Sequence, residues 1–218
     1  MNGLQRIGGF AALYLALAYV IGIVLFLVVL DYPSITDPAQ KVALVVDKQP
    51  VIYASNLILY VVFGSFLVVL ALALHHRLAA GAAGIMQPAT AIGIIWAGSL
   101  VASGMVSNGG IAPVVALFGK NPTQAAMTWL AIETVATGLG NGNGEILGGL
   151  WTLLVSWAAL RTHGLPKFIG YLGILVGLVG IISVIPAITS LVGVFGVTQG
   201  VWLVALAPIL LRLNDSRT

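Results

Sequence analysis

Cysteine is absent from the sequence, which excludes disulfides, thiolate metal sites, iron–sulfur clusters and cysteine nucleophiles. Charge is almost as scarce: 7% of residues are Asp, Glu, Lys or Arg, against about a quarter in a soluble globular domain. Nine Lys/Arg and six Asp/Glu leave a net charge of +3, spread thinly along the chain, so the concentrated basic face of a nucleic-acid binder is excluded. Also missing are a Gly-x-x-x-x-Gly-Lys phosphate loop, a Gly-x-Ser-x-Gly nucleophile elbow and a His-Glu-x-x-His zinc motif. What fills the 218 residues instead is apolar: 60% are hydrophobic, more than a water-soluble fold can hide.

A helix needs about 20 mostly apolar residues to cross roughly 30 Å of hydrocarbon. Runs of that kind, bounded by charge, Pro or Asn/Gly, occur at Ile7 to Leu30, Val51 to Leu74, Pro88 to Val106, Gly144 to Leu160, Phe168 to Val192 and Val194 to Leu211. The fold expected is therefore all-α: one polytopic domain over residues 1–218 with six transmembrane helices. The first run is too long for a signal-peptide core, and Leu30-Asp31-Tyr32-Pro33 lacks a small-x-small cleavage site, so this helix is expected to be retained. The last two runs are separated only by Thr189, Ser190 and Gly193, which demands a tight turn.

Basic residues flanking short loops set orientation. With the N-terminus in the cytoplasm, Arg6, Arg77, Arg161, Lys167, Arg212 and Arg217 lie inside and Lys41, Lys48 and Lys120 outside. Both termini are thus expected on the cytoplasmic face of a bacterial inner membrane. Two outer loops carry helices of their own. Asp37-Pro38-Ala39-Gln40 combines an N-cap acceptor, a Pro at the first helical position and a Gln at the third, ahead of Val42, Val45 and Val46. A second helix begins at Asn121-Pro122, runs from Thr123 to Leu139 and is expected to stop in Gly140-Asn141-Gly142-Asn143-Gly144. Thr128, Ile132, Val135 and Leu139 share one of its faces and Trp129, Glu133 and Thr137 another, as in an interfacial helix.

Gly170, Gly173, Gly177 and Gly180 recur at spacings of 3, 4 and 3 and make a smooth stripe on the fifth helix. Lipid removes the hydrophobic drive between helices, so such stripes mark close packing, either within the chain or in a homo-oligomer. Pro186 and Pro208 are expected to kink the fifth and sixth helices.

The polar residues share a depth. Asn56 follows Pro50 by six residues and Gln199 follows Val194 by five, about 9 and 8 Å from the outer ends of their helices; Asn108 follows the third run and Glu145 opens the fourth. Polar groups are costly in hydrocarbon and usually face a bundle interior or a wet cavity, which points to an outward-facing polar pocket lidded by Trp129, Glu133, Asn141 and Asn143. A structural reading stands beside it: Asn56 and Gln199 as interhelical glue, Asn143 as an N-cap, and Glu145 as a carboxylate at the positive end of a helix. Glu133 and Glu145 are two carboxylates, but no nucleophile or metal ligand accompanies them.

His75, His76 and His163 share the cytoplasmic side, which permits a metal site. Against it, adjacent histidines diverge by about 100° on a helix, and no Asp or Glu adjoins them in sequence. No His lies within a span to ligate haem, and no Lys within one to form a retinal Schiff base or a voltage sensor. No cofactor is implied.

Leu165-Pro166-Lys167-Phe168-Ile169-Gly170-Tyr171-Leu172-Gly173 resembles the Leu-Pro-basic-aromatic-x-Gly-aromatic-Leu-Gly start of the penultimate helix in a bacterial family of integral-membrane proteins without an assigned activity. Gly8-Gly9-Phe10-Ala11-Ala12-Leu13 is similar to that family's first helix. The resemblance implies a six-helix membrane protein and transfers no catalytic residue. The function expected is non-enzymatic: binding of a small molecule or lipid in the outward-facing polar pocket. The alternatives are an accessory subunit of a larger membrane complex and a small proton-coupled transporter using Glu133 or Glu145.

Overall fold

The computed structural model describes residues 2–188 and 191–212; the side chains of residues 2, 141–144 and 186 lie outside that description. Among the described residues all regular structure is helical. Helix α1 (Asn2–Ile23) passes into a π-helical stretch, Val24–Val29, and is ended by Asp31 in the left-handed conformation, φ 44°. A short turn leads to α2 (Pro38–Asp47), then α3 (Gln49–Asn56), a second π stretch (Leu57–Val62) and α4 (Phe63–Phe118). Next come α5 (Pro122–Thr137), a third π stretch (Gly138–Gly142), α6 (Asn143–Thr162), α7 (Lys167–Ile182) and α8 (Leu191–Arg212).

Helix α4 has two legs. Ala82, at φ −149° and ψ 43°, breaks it, so the expected link from Ala79 to Gln87 contracts to a single non-helical residue. The second leg also runs far past Val106, to Phe118, and Asn108 lies inside it rather than beyond its end. The extension is worth making because Ile111 and Val114 are buried against α2, α3 and α5. Among the described residues, three continuous helical stretches are long and apolar enough to cross a membrane: Gly3–Val29, Gln49–Phe118, which contains both legs, and Leu191–Arg212.

Other expected boundaries move for identifiable reasons. Helix α7 ends at Ile182, not at Val192, and Pro186 starts a 3-10 turn (Pro186–Ile188) instead of kinking a helix. Proline removes a donor and pushes its predecessor out of the α region, so termination is its cheaper outcome here. Thr189 and Ser190 lie outside the described residues, and Pro208 stays inside α8. The glycine-rich run expected to stop the outer helix does not stop it: α5 continues through Gly138–Gly142 into α6.

Both outer N-caps form as expected. The Asp37 carboxylate accepts from the Ala39 N–H, and the Asn121 side-chain oxygen accepts from the Gln124 N–H. On α5, Ala125, Ala126 and Trp129 are buried, while Val135 is exposed. Packing decided this, because the small residues of the first turn let α5 lie close on the second leg of α4.

Two cores result. The larger joins α1, both legs of α4, α6, α7 and α8 around Trp96, Trp151 and Trp202. The smaller, Val42, Val45, Ile52, Ile111, Val114 and Trp129 among others, forms a cap at the outer end. The core is filled by large side chains such as Trp151, Trp202, Leu70 and Leu74, but on α1 and α7 many of the inward positions are small residues, while large apolar ones stand outside. Ala11, Ala12, Ala16 and Ala18 of α1 are buried, whereas Ile7, Phe10, Leu13, Leu17, Val20 and Leu27 are exposed. Helix α7 repeats the pattern, with Gly170, Gly173, Gly177 and Gly180 inside and Phe168, Tyr171, Leu175 and Leu178 outside. At the basic end, Arg77 donates to the Gly164 carbonyl at 2.7 Å and to Gln5 Oε1 at 2.9 Å, tying three parts of the chain together.

Candidate functional site

Helices α1 and α8 form a wedge. At the basic end they touch: a methyl group added at Gly9 would lie 2.7 Å from the Leu211 side chain. Toward the outer end the same seam loosens, with Tyr19 at 3.4 Å from such a methyl at Gly200, 3.8 Å at Gly196, and nothing within 4 Å at Gly193. A cavity of about 460 Å³ occupies the opening, within the range that takes drug-sized ligands. Its walls are Tyr19, Gly22, Phe26, Tyr60, Phe63, Trp96, Phe195 and Gly196 with aliphatic neighbours, and Glu145 is the one carboxylate lining it among the described residues. Ile23 and Leu27 line it and are also exposed on the outside of the bundle, so the cavity reaches the lateral surface.

Each of the three π-helical stretches contributes to this wall: Phe26 and Leu27 from the first, Leu59 and Tyr60 from the second, Gly140 from the third. A π turn widens the helix by one residue and unsettles the regular backbone ladder, and such turns concentrate at functional sites. Side chains attend to the loosened carbonyls. The Tyr14 hydroxyl donates to Ile58 O at 2.7 Å and the Ser103 hydroxyl to Ala136 O at 2.7 Å. Gly140 has a steric reason as well, since a side chain there would meet Ser103 Oγ at 2.6 Å and the Tyr60 ring at 3.2 Å.

The Glu145 side chain is 8% exposed, and its Oε2 is buried without a hydrogen-bond partner. It does not sit at a free helix N-terminus, because α5 runs on into α6. That removes the expected stabilisation of Glu145 by a helix end.

The remaining sequence candidates do not converge on this cavity. Asn56 Nδ2 donates to Asn108 Oδ1 at 2.9 Å, and Asn108 Nδ2 donates to Tyr53 O at 3.2 Å, so the two amides bind α3 to the second leg of α4. Gln199 is fully buried and accepts from Thr152 Oγ1 at 3.0 Å, while its Nε2 has no partner. Glu133 pairs with Lys41 at 2.9 Å in the cap. There Trp129 Nε1 donates to the Tyr32 hydroxyl at 3.1 Å, and Lys41 lies 5.0 Å from the centroid of the Tyr32 ring. Burial, joined by the nearby Glu133 carboxylate, pushes the Tyr32 phenol above its usual range and keeps it neutral. Asn56, Trp129 and Glu133 line a smaller cavity of about 140 Å³, and Phe26 and Tyr60 form a wall common to both. The side chains of Asn141 and Asn143 lie outside the described residues.

The glycine stripe of α7 is used within the chain. Gly170 lies against Leu160, Gly173 against Ser156, and Gly177 against the Gly149 carbonyl and Leu153, all on α6; Gly180 meets Phe195 and Gly149. Of the histidines, His75 Nδ1 is 2.7 Å from Thr90 Oγ1. Among the described residues no three His, Asp or Glu side chains gather as a metal ion requires.

Sequence reasoning missed the aromatic wall, because Tyr19, Tyr60, Phe63, Trp96 and Phe195 come from different helices and each alone reads as core. Comparison with protein-family models, with curated proteins and with solved structures returns no match.

Proposed function

We propose that this chain is an integral membrane protein of six spans, with both termini on the basic, cytoplasmic face, that binds an amphiphilic small molecule or lipid in the cavity floored by Glu145. The spans are α1, the leg from α3 to Ala82, the second leg of α4, α6, α7 and α8. The exterior supports the membrane: the many exposed large apolar side chains, such as Phe10, Leu17, Leu27, Tyr171 and Leu175, make sense when the surrounding solvent is hydrocarbon.

The observation that carries the binding reading is the pairing of a buried carboxylate oxygen without a partner and an aromatic cavity of about 460 Å³. Buried polar atoms in folded proteins are nearly always satisfied, and an exception beside a cavity is where a ligand group belongs. The lateral opening at Ile23 and Leu27 favours a ligand that arrives from the lipid phase.

The test uses Gly196→Leu. Gly196 lines the cavity and a Cβ added there meets nothing nearer than 3.8 Å, so the backbone position tolerates a side chain and leucine is expected to occupy the cavity. Purified protein in a neutral detergent is melted with a panel of neutral amphiphiles of graded chain length, followed by tryptophan fluorescence. Saturable stabilisation of the wild type that Gly196→Leu loses is the expected result. No stabilisation by any member, or equal stabilisation of the variant, removes the reading.

A further inference from the structure

Resting on the cavity reading, we infer that the preferred ligand is a hydrophobic organic cation. The cavity offers one formal charge, the Glu145 carboxylate, more than nine-tenths buried and with Oε2 unpartnered. Among the described residues no Lys, Arg or His lines it, and Lys41 is engaged by Glu133 in the cap. An ionised carboxylate is acceptor-only and expensive to bury alone, so the occupant that suits it best brings the opposite charge. A neutral ligand leaves that cost standing, and an anion adds repulsion to it.

The rings supply a second attraction of the same sign. Tyr19, Phe26, Tyr60, Phe63, Trp96 and Phe195 surround the space. Tyr19 and Phe63 meet edge to face with centroids 5.6 Å apart, and Phe63 and Trp96 do so at 6.4 Å. The negative face of an aromatic ring attracts a cation within about 6 Å of its centroid, most strongly where water is excluded. An acid flanked by aromatic rings therefore selects charge sign, while the aliphatic residues Leu27, Leu59 and Leu100 hold an apolar body. Recognition needs no donor hydrogen on the ligand, so the class includes quaternary and delocalised cations.

The experiment compares two probes of nearly identical size and shape but opposite charge, tetraphenylphosphonium and tetraphenylborate, binding to the full chain in an uncharged detergent. Wild type is expected to bind the phosphonium at least tenfold more tightly than the borate. Glu145→Gln should weaken phosphonium binding at least tenfold, Glu145→Asp should keep the cation-over-anion order, and Gly196→Leu should abolish binding of both the phosphonium and the neutral amphiphiles. Melting curves establish that each variant is folded, with Glu145→Asp deciding should Glu145→Gln fail to fold. Equal or tighter borate binding, or phosphonium affinity unchanged in Glu145→Gln, overturns the cation inference. Should neutral amphiphiles bind in a Gly196-dependent way without any cation preference, the cavity reading stands and this inference falls; should no probe bind at all, both fall.

Discussion

The Lys41 ammonium and the Glu133 carboxylate meet at 2.9 Å although 92 residues separate them in the chain. Their contact fastens α2 to α5, and with the Trp129 to Tyr32 hydrogen bond it closes the small outer core. The two carboxylates that stand out in the sequence are thereby given different work. Glu133 holds a cap together, and Glu145 faces an aromatic space with an oxygen unpaired.

Replacing either partner in the cap should cost stability without touching the main cavity. Lys41→Met and Glu133→Gln are each expected to destabilise by about 1 kcal/mol, as for a partly exposed ion pair, and the double variant by less than the sum. Melting the four proteins of the cycle measures this. Loss of amphiphile binding in a folded Glu133→Gln protein would contradict the division of roles.

Asn56 and Asn108 form the other long-range pair. Asn56→Leu orphans the side-chain oxygen of Asn108, and Asn108→Leu orphans the Asn56 amide and removes one of the donors to the Tyr53 carbonyl, which keeps the Leu57 N–H. Each is expected to lose roughly 1–2 kcal/mol, the Asn108 variant more, because a buried polar group is left unpaired. The double leucine variant should recover part of the loss; strictly additive losses would show that the amides are not coupled.

Glycine substitutions separate close packing from open space. A methyl at Gly177 would lie 2.7 Å from the Gly149 carbonyl oxygen, on backbone that cannot step aside, whereas one at Gly193 has nothing within 4 Å. Gly177→Ala is expected to lower stability by about 1–3 kcal/mol and Gly193→Ala to fall within about 0.5 kcal/mol of wild type. Indistinguishable melting temperatures for the two would refute the α6–α7 contact.

Topology gives the fourth expectation. Reporters fused before Asn2 and after Arg212 should both be active only in the cytoplasm, and one inserted between Asp47 and Gln49 only outside it. Termini on opposite faces would rule out an even number of spans.

The apolar runs and scarce charge, readable from composition and order alone, determined that this chain is built from helices with greasy exteriors. So did the outer N-caps at Asp37 and Asn121, because capping is a contact between residues two or three apart. Local rules erred where distant residues intervened. Glycine at 140 reads as a stop signal, yet its neighbours in space are Ser103 and Tyr60, and the helix continues because the missing side chain makes room for them. Shared depth along the helix axes grouped Asn56, Asn108, Gln199 and Glu145 as one pocket, but depth leaves rotation about each axis undetermined. Only the assembled bundle turned Asn56 to Asn108, Gln199 to Thr152, and Glu145 to the space that α1 and α8 leave between them. A sequence records which side chains lie along each helix; which of them meet is set by how closely neighbouring backbones approach, and here glycine and alanine contacts from five helices fix that together.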